Sequence, residues 1–251
     1  FILPVWFFQY SLWGLVFPNI YFRIFVWAVF VLLLSFTLTQ NESNLIAWPM
    51  LLLSLLLSGA GFTLASVFTF VSDYPFSLHW SDGNRLWDYS LVFGHDLYNF
   101  PSDQPIPSLT SIGRQVLWGL PFIFSNSSIF VNRFWDALLY SLPSALLGWI
   151  VFKSKGKEWI FLGIWTFIFL NQGPIYTPLV LSAILIALTW KRPLWVGIPL
   201  AALAGYYAQI SRWTWEFAPA IWAAVLEISG SKLKDARSAI SIRWRRATAL
   251  A

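Results

Sequence analysis

The feature that most constrains this chain is the length of its uninterrupted apolar runs. They extend from Phe1 to Phe17, Ile20 to Thr39, Leu45 to Val71, Ile129 to Phe152, Glu158 to Leu170, Ile175 to Trp190, Leu194 to Ile210 and Trp213 to Ile228. Most are about 17 to 26 residues long, which suits a helix crossing a hydrocarbon layer of about 30 Å, and several of the later ones are shorter. Barrel strands would be shorter still and would alternate in polarity. Hydrophobic residues make up 58% of the chain and charged ones only 11%. A soluble domain is roughly a quarter charged, so this composition cannot cover a water-facing surface. The expected fold is all-α: a polytopic helical membrane protein of about seven or eight transmembrane helices, with one long external loop carrying two short interfacial helices.

Charge placement gives an orientation. If Lys153, Lys155 and Lys157 are cytoplasmic and successive runs alternate, then Lys191 and Arg192 fall on the same side. So do Lys232, Lys234, Arg237, Arg243, Arg245 and Arg246, which makes eleven of the sixteen basic residues. Asp73, Asp82, Asp88, Asp96 and Asp103 all fall on the other side. This satisfies the positive-inside rule, and its inverse violates it. The net charge of +5 is therefore a topology signal, with membrane lipids as the partner of the basic tail, and it implies no nucleic acid. The chain divides into N-terminal transmembrane helices over 1–71, an external loop over 72–128, transmembrane hairpins over 129–229 and a basic cytoplasmic tail over 230–251. The tail fits either a short amphipathic helix or an unfolded segment. The absence of cysteine excludes disulfides, thiolate metal sites and cysteine nucleophiles. The 17 Trp read mainly as interfacial anchors, and Arg23 as an anchor near the outer end of its helix. Because the chain opens at Phe1 inside an apolar run, it is expected to be a piece of a longer or processed protein.

The loop breaks the apolar pattern. It holds both histidines, His79 and His95, and five of the eleven acidic residues. It is also rich in Tyr, Phe and Trp, which give it apolar area to fold back on the membrane domain. Ser81 can cap a helix that Gly94 stops. Asp82, Arg85 and Asp88 then share one face, with Leu86, Tyr89, Ser90 and Phe93 on the opposite stripe. A surface salt-bridge ladder is the simpler account of those three charges. A second short helix is predicted from about Thr110 to Phe124, carrying Arg114 and Gln115. Pro101, Pro105 and Pro107 stiffen the connection around Asp103. Two histidines without well-spaced further ligands disfavour zinc.

These residues also carry a resemblance. Val71-Ser72-Asp73-Tyr74-Pro75, Trp80-Ser81-Asp82-Gly83-Asn84-Arg85-Leu86 and Gly113-Arg114-Gln115 with Trp118-Gly119-Leu120-Pro121-Phe122 follow a transmembrane helix into a long external loop. The chain over residues 46–215 resembles the GT-C superfamily of integral membrane glycosyltransferases, which includes protein O-mannosyltransferases and aminoarabinose lipid A transferases. The resemblance implies transfer of a sugar from a polyprenyl-phosphate donor to an acceptor on the external face of a plasma membrane, bacterial by this reading. It implies catalytic roles for Asp73 and Asp82, with Asp73 as a partly desolvated general base beside the acceptor. Arg85, Arg114, Arg133 and Arg212 would hold the donor phosphate, supported by His79, Asp88, His95, Asp96, Asp103 and Gln115. No cofactor is required, although Asp73 with Asp82, or His95 with Asp96, suits a hard divalent cation such as Mg or Mn.

No charge falls at mid-membrane in any run, which weakens proton-relay, ion-pump and voltage-sensor functions. A non-catalytic scaffold or subunit of a larger membrane complex is the alternative to the transferase, and a lipid transporter is the third reading.

Overall fold

The computed structural model describes residues 2–9, 12–39, 45–76, 78, 89–90, 92–93, 112–124, 127–154, 156–172, 177–229 and 245–250. Among these residues the chain is all-helical, without strands. Its elements are α1 Ile2–Gln9, α2 Trp13–Val16, α3 Ile20–Leu38, α4 Trp48–Phe68, α5 Ile112–Gly119, α6 Ile129–Phe152, α7 Trp159–Leu170, α8 Thr177–Thr189, α9 Leu194–Ser211 and α10 Ala218–Ser229. Residues 245–250 form a further helical stretch.

Four helices, α3, α4, α6 and α9, are long and apolar enough to cross a membrane. The helices α7, α8 and α10 have 12, 13 and 12 residues, so each reaches only about 18–20 Å at 1.5 Å per residue. Adjacent elements pack as antiparallel hairpins: α3 with α4, α6 with α7 and α8 with α9, joined by contacts of α4 with α7 and α6 with α8. The chain therefore shuttles between two ends. Asp73 and the start of α6 lie at one, and the end of α6, the start of α7 and residues 245–250 at the other.

Burial runs opposite to that of a water-soluble bundle. Large apolar side chains such as Phe25, Leu33, Leu203 and Val225 are exposed, forming the lipid-facing surface. The buried faces are lined by small and hydroxyl residues: Ser54, Ser58 and Gly61 on α4, and Gly197, Ala201, Ala204 and Ala208 on α9. Lipid tails are as apolar as leucine, so helices associate through close packing rather than water exclusion, and small residues permit that packing. One such close approach is at Gly148 on α6. A Cβ built there would stand 2.8 Å from the Gly163 carbonyl oxygen of α7. Two of the buried hydroxyls find carbonyl acceptors inside the fold, whereas the Ser58 hydroxyl has none among the described residues. Ser54 donates to the Met50 carbonyl at 2.8 Å, and Ser182 crosses between helices to the Ala204 carbonyl at 3.1 Å, as an interior without water requires.

Helix starts follow local capping chemistry. The Asn19 side chain accepts from the Tyr21 and Phe22 amides at the head of α3, at 2.9 and 3.4 Å. Ser128 accepts from the Val131 amide at 3.2 Å at the head of α6.

One expectation is revised and one alternative is narrowed. The apolar run from Phe1 to Phe17 is not one continuous helix. It is divided between α1 and the four-residue α2, and α2 folds back so closely that a Cβ on Gly14 would overlap the Phe8 carbonyl oxygen at 2.1 Å. Arg23 of α3 fixes this corner by donating to the Phe17 carbonyl at 2.9 Å and to the Gly14 carbonyl. Of the two alternatives for the tail, the helical one holds for its described end over 245–250. Ala247 and Leu250 are buried, and Leu250 joins Ile186, Ala201, Ala204 and Ala223 in one apolar cluster.

Candidate functional site

The loop that leaves α4 is held by α6. Arg133, on the first turns of α6, is buried at 5% exposure. Its Nη1 donates to the Ser72 carbonyl at 2.9 Å, the Ser72 hydroxyl at 3.3 Å and the Tyr74 carbonyl at 2.8 Å, while Nη2 donates to the Phe76 carbonyl at 3.0 Å. A planar guanidinium presents several donors in fixed directions, so one side chain shapes the whole 72–76 segment. Asp73 Oδ1 in turn accepts from the Phe130 amide at 3.2 Å. That amide belongs to the first turn of α6, where backbone N–H groups have no helical acceptor and negative charge is favoured. Asp73 therefore acts as a cap delivered from 57 residues away. Its Oδ2 has no partner among the described residues, and the residue is exposed.

Further along α6 lies an aromatic cluster. Tyr89, Trp118, Phe122 and Leu139 form a buried cluster, against which Phe93, Trp135 and Tyr140 pack. The Trp135 indole donates to the Leu117 carbonyl at 2.9 Å, tying α5 to α6. Close approach requires glycine at 119, where a Cβ would meet the Tyr89 carbonyl oxygen and the Phe93 ring at 2.8 Å. Within the stretch predicted for the second loop helix, α5 covers Ile112–Gly119 and tightens into a 3-10 turn over Leu120–Ile123.

Arg114 projects from α5 half-buried. It lies 5.8 Å from the centroid of the Trp118 ring, and its Nη2 donates to the Tyr89 hydroxyl at 3.5 Å. Its Nε is buried without a hydrogen-bond partner among the described residues. The neighbouring Gly113 packs on the end of α9, where a Cβ would meet Ile210 at 2.7 Å and the Ser211 hydroxyl at 2.8 Å. Arg212 follows directly. It is exposed and sits 5.6 Å over the Trp215 ring. The contact between α5 and α9 thus places Arg114 and Arg212 at the same end of the bundle, each on a tryptophan face. Gln115 is buried beside them on α5.

Of the residues expected at the site, Asp73, Arg114, Arg133, Arg212 and Gln115 fall at this end. His79, Asp82, Arg85, Asp88, His95, Asp96 and Asp103 lie outside the described residues. Among the described residues no three His, Asp or Glu side chains converge as a metal set. The backbone carbonyls of Ser72, Tyr74 and Phe76 have no sequence signature as arginine partners. Tyr89 was legible only as part of an apolar stripe.

Comparison with protein-family models, with curated proteins and with solved structures gives no match.

Proposed function

We propose that the chain is a membrane glycosyltransferase that takes a sugar from a polyprenyl-phosphate donor at the Asp73 end. The reading includes about seven or eight passes, with α7, α8 and α10 completing theirs through flanking segments. It also includes an external Asp73 end and a cytoplasmic end at Lys153, Lys157 and Arg246. The acceptor hydroxyl attacks the anomeric carbon and the bond from that carbon to the phosphate oxygen breaks. Asp73 Oδ2 takes the hydroxyl proton. The polyprenyl phosphate departs with its negative charge held by Arg114 and Arg212. The observation that carries this reading is Arg114: a guanidinium wedged on Trp118, with its Nε unpaired among the described residues, beside Arg212. In this scheme Arg133 positions the Asp73 segment, since its Nη groups already bind backbone carbonyls. Asp82 and Arg85 remain proposed partners, and Mg or Mn held through Asp73 and Asp82 would add electrophilic assistance at the phosphate.

The Asp73 cap favours a second reading, a non-catalytic scaffold in which that carboxylate only fixes the loop to α6. Two substitutions separate the readings. Asp73→Asn keeps an oxygen acceptor for the Phe130 amide but removes the base. Asp73→Ala removes both. With the full chain in liposomes and a radiolabelled polyprenyl-phosphate sugar, the transferase reading expects Asp73→Asn to fold normally and lose at least about 100-fold in turnover. Unchanged transfer by this variant would falsify the base assignment. A scaffold would tolerate Asn and lose stability only with Ala.

A further inference from the structure

The corner formed by α1, α2, α3 and α4 encloses a groove of about 780 Å³. Val5, Phe8, Leu15, Ile24, Trp27 and Phe62 line it, and the edge-to-face Trp27–Phe62 pair at 6.0 Å joins α3 to α4 along its wall. Among the described residues its lining is apolar apart from Arg23 and includes no carboxylate. The guanidinium is held by the Phe17 and Gly14 carbonyls and lies 5.6 Å from the Phe8 ring centroid. These partners are neutral. They fix the direction of the fork and leave its charge uncancelled at the mouth of an apolar groove. Arg23 is the fourth residue of α3, about 5 Å along the helix from its start, which is the depth of the boundary between headgroups and acyl chains.

We infer that this groove is a phospholipid site, with the lipid phosphate on the Arg23 guanidinium and an acyl chain between α1 and the α3–α4 pair. A guanidinium matches a phosphate with paired donors, and an apolar groove in a bilayer is filled by the apolar part of the same molecule. The site is independent of the transferase reading, because that reading gives no role to any residue lining the groove.

The test uses the full chain in zwitterionic detergent, read by native mass spectrometry and thermal unfolding. Three probes are compared: phosphatidylglycerol, diacylglycerol with the same chains, and glycerol phosphate. Phosphatidylglycerol is expected to be retained and to raise the midpoint. Either fragment alone is expected to bind at least about tenfold more weakly, the worth of one charge-assisted hydrogen bond. Arg23→Gln should bring phosphatidylglycerol down to the level of diacylglycerol. Ile24→Trp fills the groove while leaving the guanidinium and its carbonyls in place, so it should expel the lipid even if Arg23→Gln fails to fold. Equal retention of phosphatidylglycerol and diacylglycerol would overturn the proposal. Wild-type retention by Ile24→Trp, or a glycerol phosphate response as strong as that of the whole lipid, would do the same.

Discussion

Two arginines at opposite ends of the bundle solve the same problem in different ways. At the Asp73 end, Arg23 pairs with the carbonyls of Gly14 and Phe17, which carry no net charge. At the other end, Arg246 Nε stands 2.9 Å from Glu227 Oε1, with Glu227 almost fully buried, and also donates to the Arg192 carbonyl. Carbonyl partners position a cation and leave its field intact. A carboxylate partner cancels the field and turns the cation into a fastener. The first arrangement suits a group that meets a ligand, and the second suits a group that closes the fold.

The comparison can be broken most decisively at Glu227. Arg246→Ala removes the cation from a buried carboxylate and is expected to destabilise the chain by about 3 kcal/mol, read as the midpoint of unfolding in detergent. Replacing both residues, Arg246→Met with Glu227→Leu, should recover most of that loss, because the desolvation cost disappears together with the pair. If the double variant is no better than the single one, Arg246 works through the Arg192 carbonyl. A smaller effect is expected from Arg23→Gln on stability, about 1.5 kcal/mol for the lost charge-assisted bonds, with the protein's unfolding becoming less sensitive to anionic lipid. The smallest concerns the neutral cap on the same helix. Asn19→Ala should cost about 1 kcal/mol and leave lipid sensitivity unchanged. A change in lipid response with Asn19→Ala would show that the corner, and not the Arg23 charge, governs it.

The helices of this chain were legible because lipid as a solvent demands long contiguous apolar stretches, so the ends of α6 coincide with the apolar run that marks it. The α1–α2 corner was not legible. Its turn runs through Gly14 inside an apolar stretch, and nothing polar announces it. The docking of 245–250 was hidden for the opposite reason: Arg245 and Arg246 advertise a solvated tail, while the fastening depends on Ala247, Leu250 and a single acid on α10. At the candidate site the charged residues could be listed from the sequence, but their duties could not. Arg133 and Asp73 spend their hydrogen bonds on backbone groups 57 to 61 residues away, and backbone groups look alike in every sequence. Gly113 and Gly119 carry the same lesson, since the need for each is set by a neighbour that only the fold supplies.

The contact between Gly148 and Gly163 has a consequence for how the chain enters a bilayer. At 12 residues, α7 is about 18 Å long and cannot shield its terminal backbone groups across a 30 Å layer by itself. Its glycine seats it directly on the backbone of α6, which has 24 residues and is long enough to span the layer alone. The α6–α7 hairpin is therefore expected to enter lipid as one unit, with α6 shielding the ends that α7 leaves bare. A bulky residue at 148 would strand α7 before the rest of the bundle arrived.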